Sequence, residues 1–308
     1  DVAFRTTLNI MSYSSLLILA AIGGFLAFRG FGAFKENGLG FITHAEWSSI
    51  VNNSGKEVDA FGMGAMIIGT LIISTIALFI GVPISVLTAL FLTFYAPNAV
   101  KKVLVTVIDL MAAFPSILYG LWGYFVLMPM AEYWAKLIHK WLGWIYIFDV
   151  PQSSYSRSPF IAGIVLSVMI IPIITSVTRE IFSQLDKDLI NGALALGGSR
   201  LSTFRKVILP TASSGVVGGV LLGLGRAVGE TVAIFYVLNL SMEINWANLL
   251  EPHGGAVASW ILARFGEASP EEKQGLMAAG LVLFIVTLVV NYLANVIVNR
   301  AQPWRKNL

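Results

Sequence analysis

Two charged residues, Arg226 and Glu230, stand inside the apolar run GLGRAVGETVAIF. A charged side chain at the centre of a bilayer costs at least ~2.5–3.5 kcal/mol on insertion scales, so such residues face a bundle interior or a water-filled path. Four positions apart, the two fall on one face of a helix and can pair. As a buried bridge, the pair fixes helix packing. As part of a path, Arg226 offers a permanently charged planar fork that suits the oxygens of an oxyanion. Glu230 then holds the arginine when the path is empty, limits how tightly the anion binds, or accepts a hydrogen bond from its protonated form. A third charge, Asp109, lies roughly 9 Å along a helix axis from Val103. It either bonds a neighbouring helix or borders the path. Beyond it, Pro115 removes a backbone bond, and Ser116, Tyr119 and Gly120 could line a cavity with hydroxyls and a close backbone approach.

Other chemistry lacks residues to carry it. The chain has no cysteine, and His44, His139 and His253 are isolated rather than paired at helical spacing, so thiolate, haem and metal sites are poorly supported. The only Gly-Lys pair, Gly55-Lys56, is followed by Glu57 and lacks the first glycine of a phosphate-binding loop, so no ATPase site is expected. No Gly-x-Ser-x-Gly elbow occurs.

These charges must be positioned by membrane helices. Over 308 residues the chain is 56% hydrophobic and 12% charged, with mean hydropathy +0.79, which describes an all-α integral membrane protein rather than a soluble domain. About 20 apolar residues cross the hydrocarbon core. Six spans are expected, at about 6–28, 63–94, 103–131, 160–178, 214–240 and 276–298, with a possible bend at Pro83 and a kink or break at Phe114-Pro115. The first lacks the basic start and cleavage site of a signal peptide and reads as a retained helix. Trp134, Trp141, Trp144, Tyr133 and Tyr146, interleaved with Lys136 and Lys140, predict an interfacial helix between the third and fourth spans, a short extra span being the rival. Gly215, Gly219 and Gly223 repeat every fourth residue and predict close helix packing beside Arg226.

Lys and Arg number eleven on the side of the termini and eight on the other, where loops are longer; Lys56, Arg305 and Lys306 are among them. Both termini and the fourth loop are therefore expected in the cytoplasm. The net charge of +3 belongs to this topology, and nucleic acid is not implied. No linker or repeat divides the chain, so 1–308 reads as one domain.

The fourth loop, about 179–210, alternates apolar and polar residues at helical period, with Leu185, Leu189, Ala193 and Leu196 on one face. Gly197-Gly198 supplies a stop, Ser199 an N-cap, and Pro210 opens the next element. Pattern alone allows an ordinary membrane-surface helix hairpin. NGALALGGSRLSTFRKVILP resembles the coupling-loop signature of ABC importer permeases: Asn191, Gly192 and Ala193, then Gly197, then Leu209 and Pro210. Asn191 stands where the family carries glutamate, so it can hydrogen-bond but cannot form an ion pair.

Nearly the whole chain resembles the permeases of phosphate-specific ABC importers, of the PstC type, through FPSILYGLWGYFVLMP, GRAVGETVA and IIPIITSVTREIFSQL. The resemblance implies the type I ABC importer permease fold and a heterodimer with a second homologous permease. It also implies two cytoplasmic ATPase subunits, with the coupling loop docked in a groove on an ATPase, an extracytoplasmic phosphate-binding protein and inorganic phosphate as cargo. ATP and magnesium would sit on the partner subunits, with no cofactor on this chain. Sulfate, molybdate or phosphonate permeases are the neighbouring alternatives. An ion-coupled secondary transporter, with Asp109 and Glu230 as coupling carboxylates, is the alternative from another class.

Overall fold

The computed structural model describes residues 2–51, 57–151, 154–246 and 248–300, and within them all side chains except those of 2–3, 49–51, 57–59 and 297–300. Lys56, Arg305 and Lys306 lie outside the described residues. The chain is helical almost throughout. In order come α1 (Val2–Asn37), α2 (Gly40–Thr43), strands β1 (Trp47–Val51) and β2 (Glu57–Phe61), and α3 (Gly64–Leu90). Then follow α4 (Asn98–Ala113), α5 (Ser116–Trp122), α6 (Met128–Leu142), α7 (Pro159–Ser183), α8 (Lys187–Ala195) and α9 (Arg200–Thr203). Last come α10 (Leu209–Val228), α11 (Val232–Val237), α12 (Val257–Phe265) and α13 (Pro270–Arg300). Among the described residues, five helices are long and apolar enough to cross a membrane, or up to six spans if the bent pair α4 and Ser116–Leu142 counts as one.

Proline explains where the helices loosen. Each of three π-helical turns, Phe91–Tyr95, Gly123–Leu127 and Phe204–Ile208, ends two residues before a proline, respectively Pro97, Pro129 and Pro210. A proline cannot donate to the carbonyl four residues back, and widening the preceding turn accommodates the missing bond. Pro210 stands in the first turn of α10, as expected, and helical chain runs through it from Arg200 to Val228. Pro83 and Pro172 sit inside α3 and α7 without interrupting them.

The third span departs most from expectation. The break at Phe114-Pro115 is a 98° bend, so α4 runs across the direction of α5 instead of continuing it. Straight helical chain instead runs through Ser116–Leu142, and the segment expected as a separate interfacial helix, with Trp134, Lys136, Lys140 and Trp141, is its last stretch, α6. The fifth span, expected over 214–240, also breaks: α10 ends at Val228 and α11 starts at Val232.

Glycines set the helix spacing. A Cβ at Gly215, Gly219 or Gly223 would stand 2.6, 3.2 or 2.7 Å from Ile181, Val177 or Ile174 of α7, so this row lets α10 lie against α7. At Gly30 an added Cβ would meet the Ala278 backbone at 2.7 Å, which marks the close approach of α1 to α13. One core gathers α3, α5, α7 and α11 around Ile73, Val165, Ile170 and Ile234. A second joins α1, the hairpin, α12 and α13 around Phe41, Phe61, Trp260 and Leu276.

The hairpin is an addition to the expected all-α chain. β1 and β2 pair antiparallel with Trp47 opposite Phe61, whose rings lie 4.6 Å apart. Trp47 Nε1 donates to Glu272 Oε1 at 2.6 Å and ties the hairpin to α13.

Candidate functional site

Two helix breaks meet at the middle of the bundle. At the first, Tyr119, buried on α5, donates its hydroxyl to the Met111 carbonyl at 2.7 Å. That carbonyl, in the last turn of α4, also accepts from the Phe114 amide at 3.2 Å, and the tyrosine hydroxyl adds a second bond that reaches across the bend. At the second break, Glu230 is buried and its Oε1 accepts from the Ala233 amide at 3.1 Å. Thr231 Oγ1 donates to the Gly229 carbonyl at 3.2 Å, and Ser259 Oγ of α12 donates to the Thr231 carbonyl at 2.8 Å. Every polar contact of this break is thus local or comes from α12. The two breaks touch through α5 and α11: a Cβ on Gly120 would stand 2.8 Å from Ala233 Cα.

Arg226 sits one turn before the second break and is half-buried. Its Nε is buried without a hydrogen-bond partner. Among the described residues it pairs with no carboxylate. The expected pairing of Arg226 with Glu230 is therefore corrected. The helix that would have put them on one face ends at Val228, and the Glu230 carboxylate is spent capping the start of α11. An arginine with an unsatisfied buried N–H and no internal counter-charge is suited to an external anion.

Asp109 is elsewhere. It lies on α4 with its side chain about half exposed and faces Arg179 of α7 at 4.0 Å, a loose pair of the kind worth ~0–1 kcal/mol. Ser116 is half-buried at the start of α5. The cavity at the bend, about 300 Å³, is lined by Met111, Phe114, Leu118, Tyr119, Trp122 and Val168. Its apolar walls suit a packed side chain better than an anion.

The fourth loop folds as two short helices. Asp186 caps α8 by accepting from the Asp188 amide at 2.9 Å, and Ser199 caps α9 by accepting from the Ser202 amide at 3.2 Å. Gly197 has φ +85°, a left-handed value that lets α8 stop and the chain reverse. Asn191, Gly192 and Ala193 lie on α8, and Leu209 and Pro210 lie near the start of α10. Asn191 and Gly192 are exposed.

Sequence reasoning missed Ser259 and the segment that follows α11. In that segment His253 stands between two carboxylates, with Nε2 3.0 Å from Glu243 and Nδ1 3.5 Å from Glu251. Neither has a spacing signal, because the contacts come from an irregular loop and from a helix 28 residues away.

Residues 81–306 match the family described as binding-protein-dependent transport system inner membrane component. The phosphate transport system permease protein PstC of Pasteurella multocida is 36% identical, covering 98% of this chain and 92% of that protein. PstC 2 of Mycobacterium tuberculosis is 37% identical, with 96% and 90% covered. A probable PstC of Methanocaldococcus jannaschii is 32% identical, with 95% and 90% covered. Among solved structures, a bacterial alginate ABC transporter bound to its alginate-loaded periplasmic protein superposes with TM-score 0.60 at 16% identity, covering 98% of this chain and 97% of that one. The MetNI methionine transporter superposes at 0.52 and 15%, covering 77% and 96%. Two broken helices around an unpaired arginine, a capped helix pair in the fourth loop and these matches lead to one assignment: the chain belongs to the binding-protein-dependent transport system inner membrane components, and within them to the PstC-type permeases.

Proposed function

We propose that this chain is the membrane-spanning permease subunit of an ATP-driven importer of inorganic phosphate. The observation that carries the reading is Arg226: half-buried, without a carboxylate partner, and placed beside the joint of two broken helices. Near-full-length identity to several PstC permeases supports phosphate over other oxyanions. In this reading the guanidinium meets the anion in passing, and its positive charge is left available because Glu230 is occupied elsewhere. Tyr119 and Glu230 then act as positioning residues that hold the bend and the break. Asp109 holds α4 to α7.

The path is completed by a second, homologous permease, since one chain of this family supplies one wall. Two ATPase subunits drive the complex, one of them docking on the exposed face of α8, with Asn191, Gly192 and Ala193 toward it and Gly197 setting the turn. They carry the ATP and magnesium. A phosphate-binding protein delivers the anion from the opposite side, and both termini and the fourth loop face the cytoplasm.

The test is uptake of labelled phosphate into proteoliposomes holding this chain with its co-purified partners and binding protein, with sulfate and molybdate as competitors. Uptake that requires ATP and resists both competitors is expected. Uptake driven by an ion gradient without ATP would overturn the reading in favour of a secondary transporter.

A further inference from the structure

Arg29 of α1 and Lys273 of α13 are exposed and, among the described residues, form no ion pair. They line one cavity of about 640 Å³ with Phe28, Phe31, Phe265 and Met277. We propose that this groove between α1 and α13 binds one phospholipid, with the phosphate held between Arg29 and Lys273 and an acyl chain laid along the aromatic wall.

Composition and position both support this occupant. No carboxylate lines the cavity. On α13, Glu272 is engaged by Trp47, and Glu36, Glu267 and Glu271 lie outside the lining and, among the described residues, form no ion pair. Arg29 marks the end of the uncharged stretch 6–28, so the groove falls where hydrocarbon gives way to headgroups. No residue in the most apolar window of α1 is buried within the chain, which leaves one side of the helix, away from α13, open to lipid. Phe28 is 79% exposed and Phe31 66%; these surfaces would be costly against water and are favourable against an acyl chain. The helices touch at Gly30 and Ala278, and Phe265 of α12 also lines the groove. A free phosphate ion would use the cations but leave the aromatic wall bare, whereas a phospholipid satisfies both. This inference goes beyond the transport reading and does not depend on it.

The assembled transporter, delipidated in detergent and titrated with phosphatidylglycerol, can be read by native mass spectrometry. The unaltered complex is expected to hold one tightly bound phosphatidylglycerol at this groove per copy of this chain. Replacing both cations, Arg29→Gln with Lys273→Gln, is expected to weaken that binding about thirtyfold, since each cation near a headgroup surface contributes roughly a fivefold factor. Arg29→Lys with Lys273→Arg keeps both charges and should retain the lipid. If the double variant fails to assemble, Lys273→Gln alone, at an exposed position, should weaken binding about fivefold. Equal retention in the charge-removed and unaltered complexes would overturn the proposal. So would displacement of the lipid by excess inorganic phosphate, or the absence of any retained lipid.

Discussion

At the scale of single residues, the separation of Arg226 from Glu230 changes what each can do. Glu230 turns one carboxylate oxygen to the start of α11 and makes no ion pair with Arg226, so the arginine keeps an unpaired N–H in a partly dry setting. Arg226→Ala is expected to lower uptake about 10- to 100-fold, the equivalent of one charge-assisted hydrogen bond of ~1.5–3 kcal/mol, while the complex still assembles; loss of assembly would instead assign the arginine to packing. Tyr119→Phe keeps the ring and removes the bond to Met111. It should lower the stability of the complex by ~1 kcal/mol, read as a reduced midpoint of thermal unfolding. Arg226 and Glu230 stood out in the sequence because charge in an apolar run is conspicuous. Their separation was not, because the stop at Gly229 depends on a cap that Glu230 itself supplies to the next helix.

At the scale of elements, the proline and glycine signals were legible in position but not in size. Phe114-Pro115 marks an interruption on sight, yet the 98° turn depends on Tyr119 reaching back to Met111 and on α4 docking against α7. Gly197 and Ser199 set the ends of α8 and α9 through local bonds alone, which is why the fourth loop could be read ahead of the structure. The hairpin and α12 could not, since they are held by contacts far apart in the chain, such as Trp47 with Glu272. Two substitutions probe these elements. Gly223→Val would press against Ile174, where a Cβ alone already comes to 2.7 Å, and should cost ~1–3 kcal/mol by overpacking, seen as reduced yield of assembled complex. Gly197→Val places a branched side chain at φ +85° and should disturb the α8–α9 turn by at least ~1–2 kcal/mol. The expected outcome is reduced phosphate uptake with ATP hydrolysis by the partners persisting. Unchanged uptake would remove the fourth loop from the coupling role.

At the scale of the whole molecule, the two ends of the bundle are built differently. One end is stitched by irregular chain: Ser241 N–H donates to the Gly254 carbonyl, Leu249 N–H donates to the Ile147 carbonyl, and His253 stands between Glu243 and Glu251. His253→Ala would leave the buried Glu251 with Asn248 as its remaining side-chain partner and should cost ~1–3 kcal/mol, checked by thermal unfolding of the complex. The other end is joined to the middle by one uninterrupted helical run, Arg200–Val228, which at 1.5 Å per residue is about 43 Å long. It begins at the turn made by Gly197 and Ser199 and ends beside Arg226 and the break at Glu230. Such a run works as a push-rod with a joint at its far end, and the π turn before Pro210 is the only softened point along it. A displacement imposed at Ser199 would, if the run moves as a rigid body, reach the guanidinium of Arg226 as translation or twist.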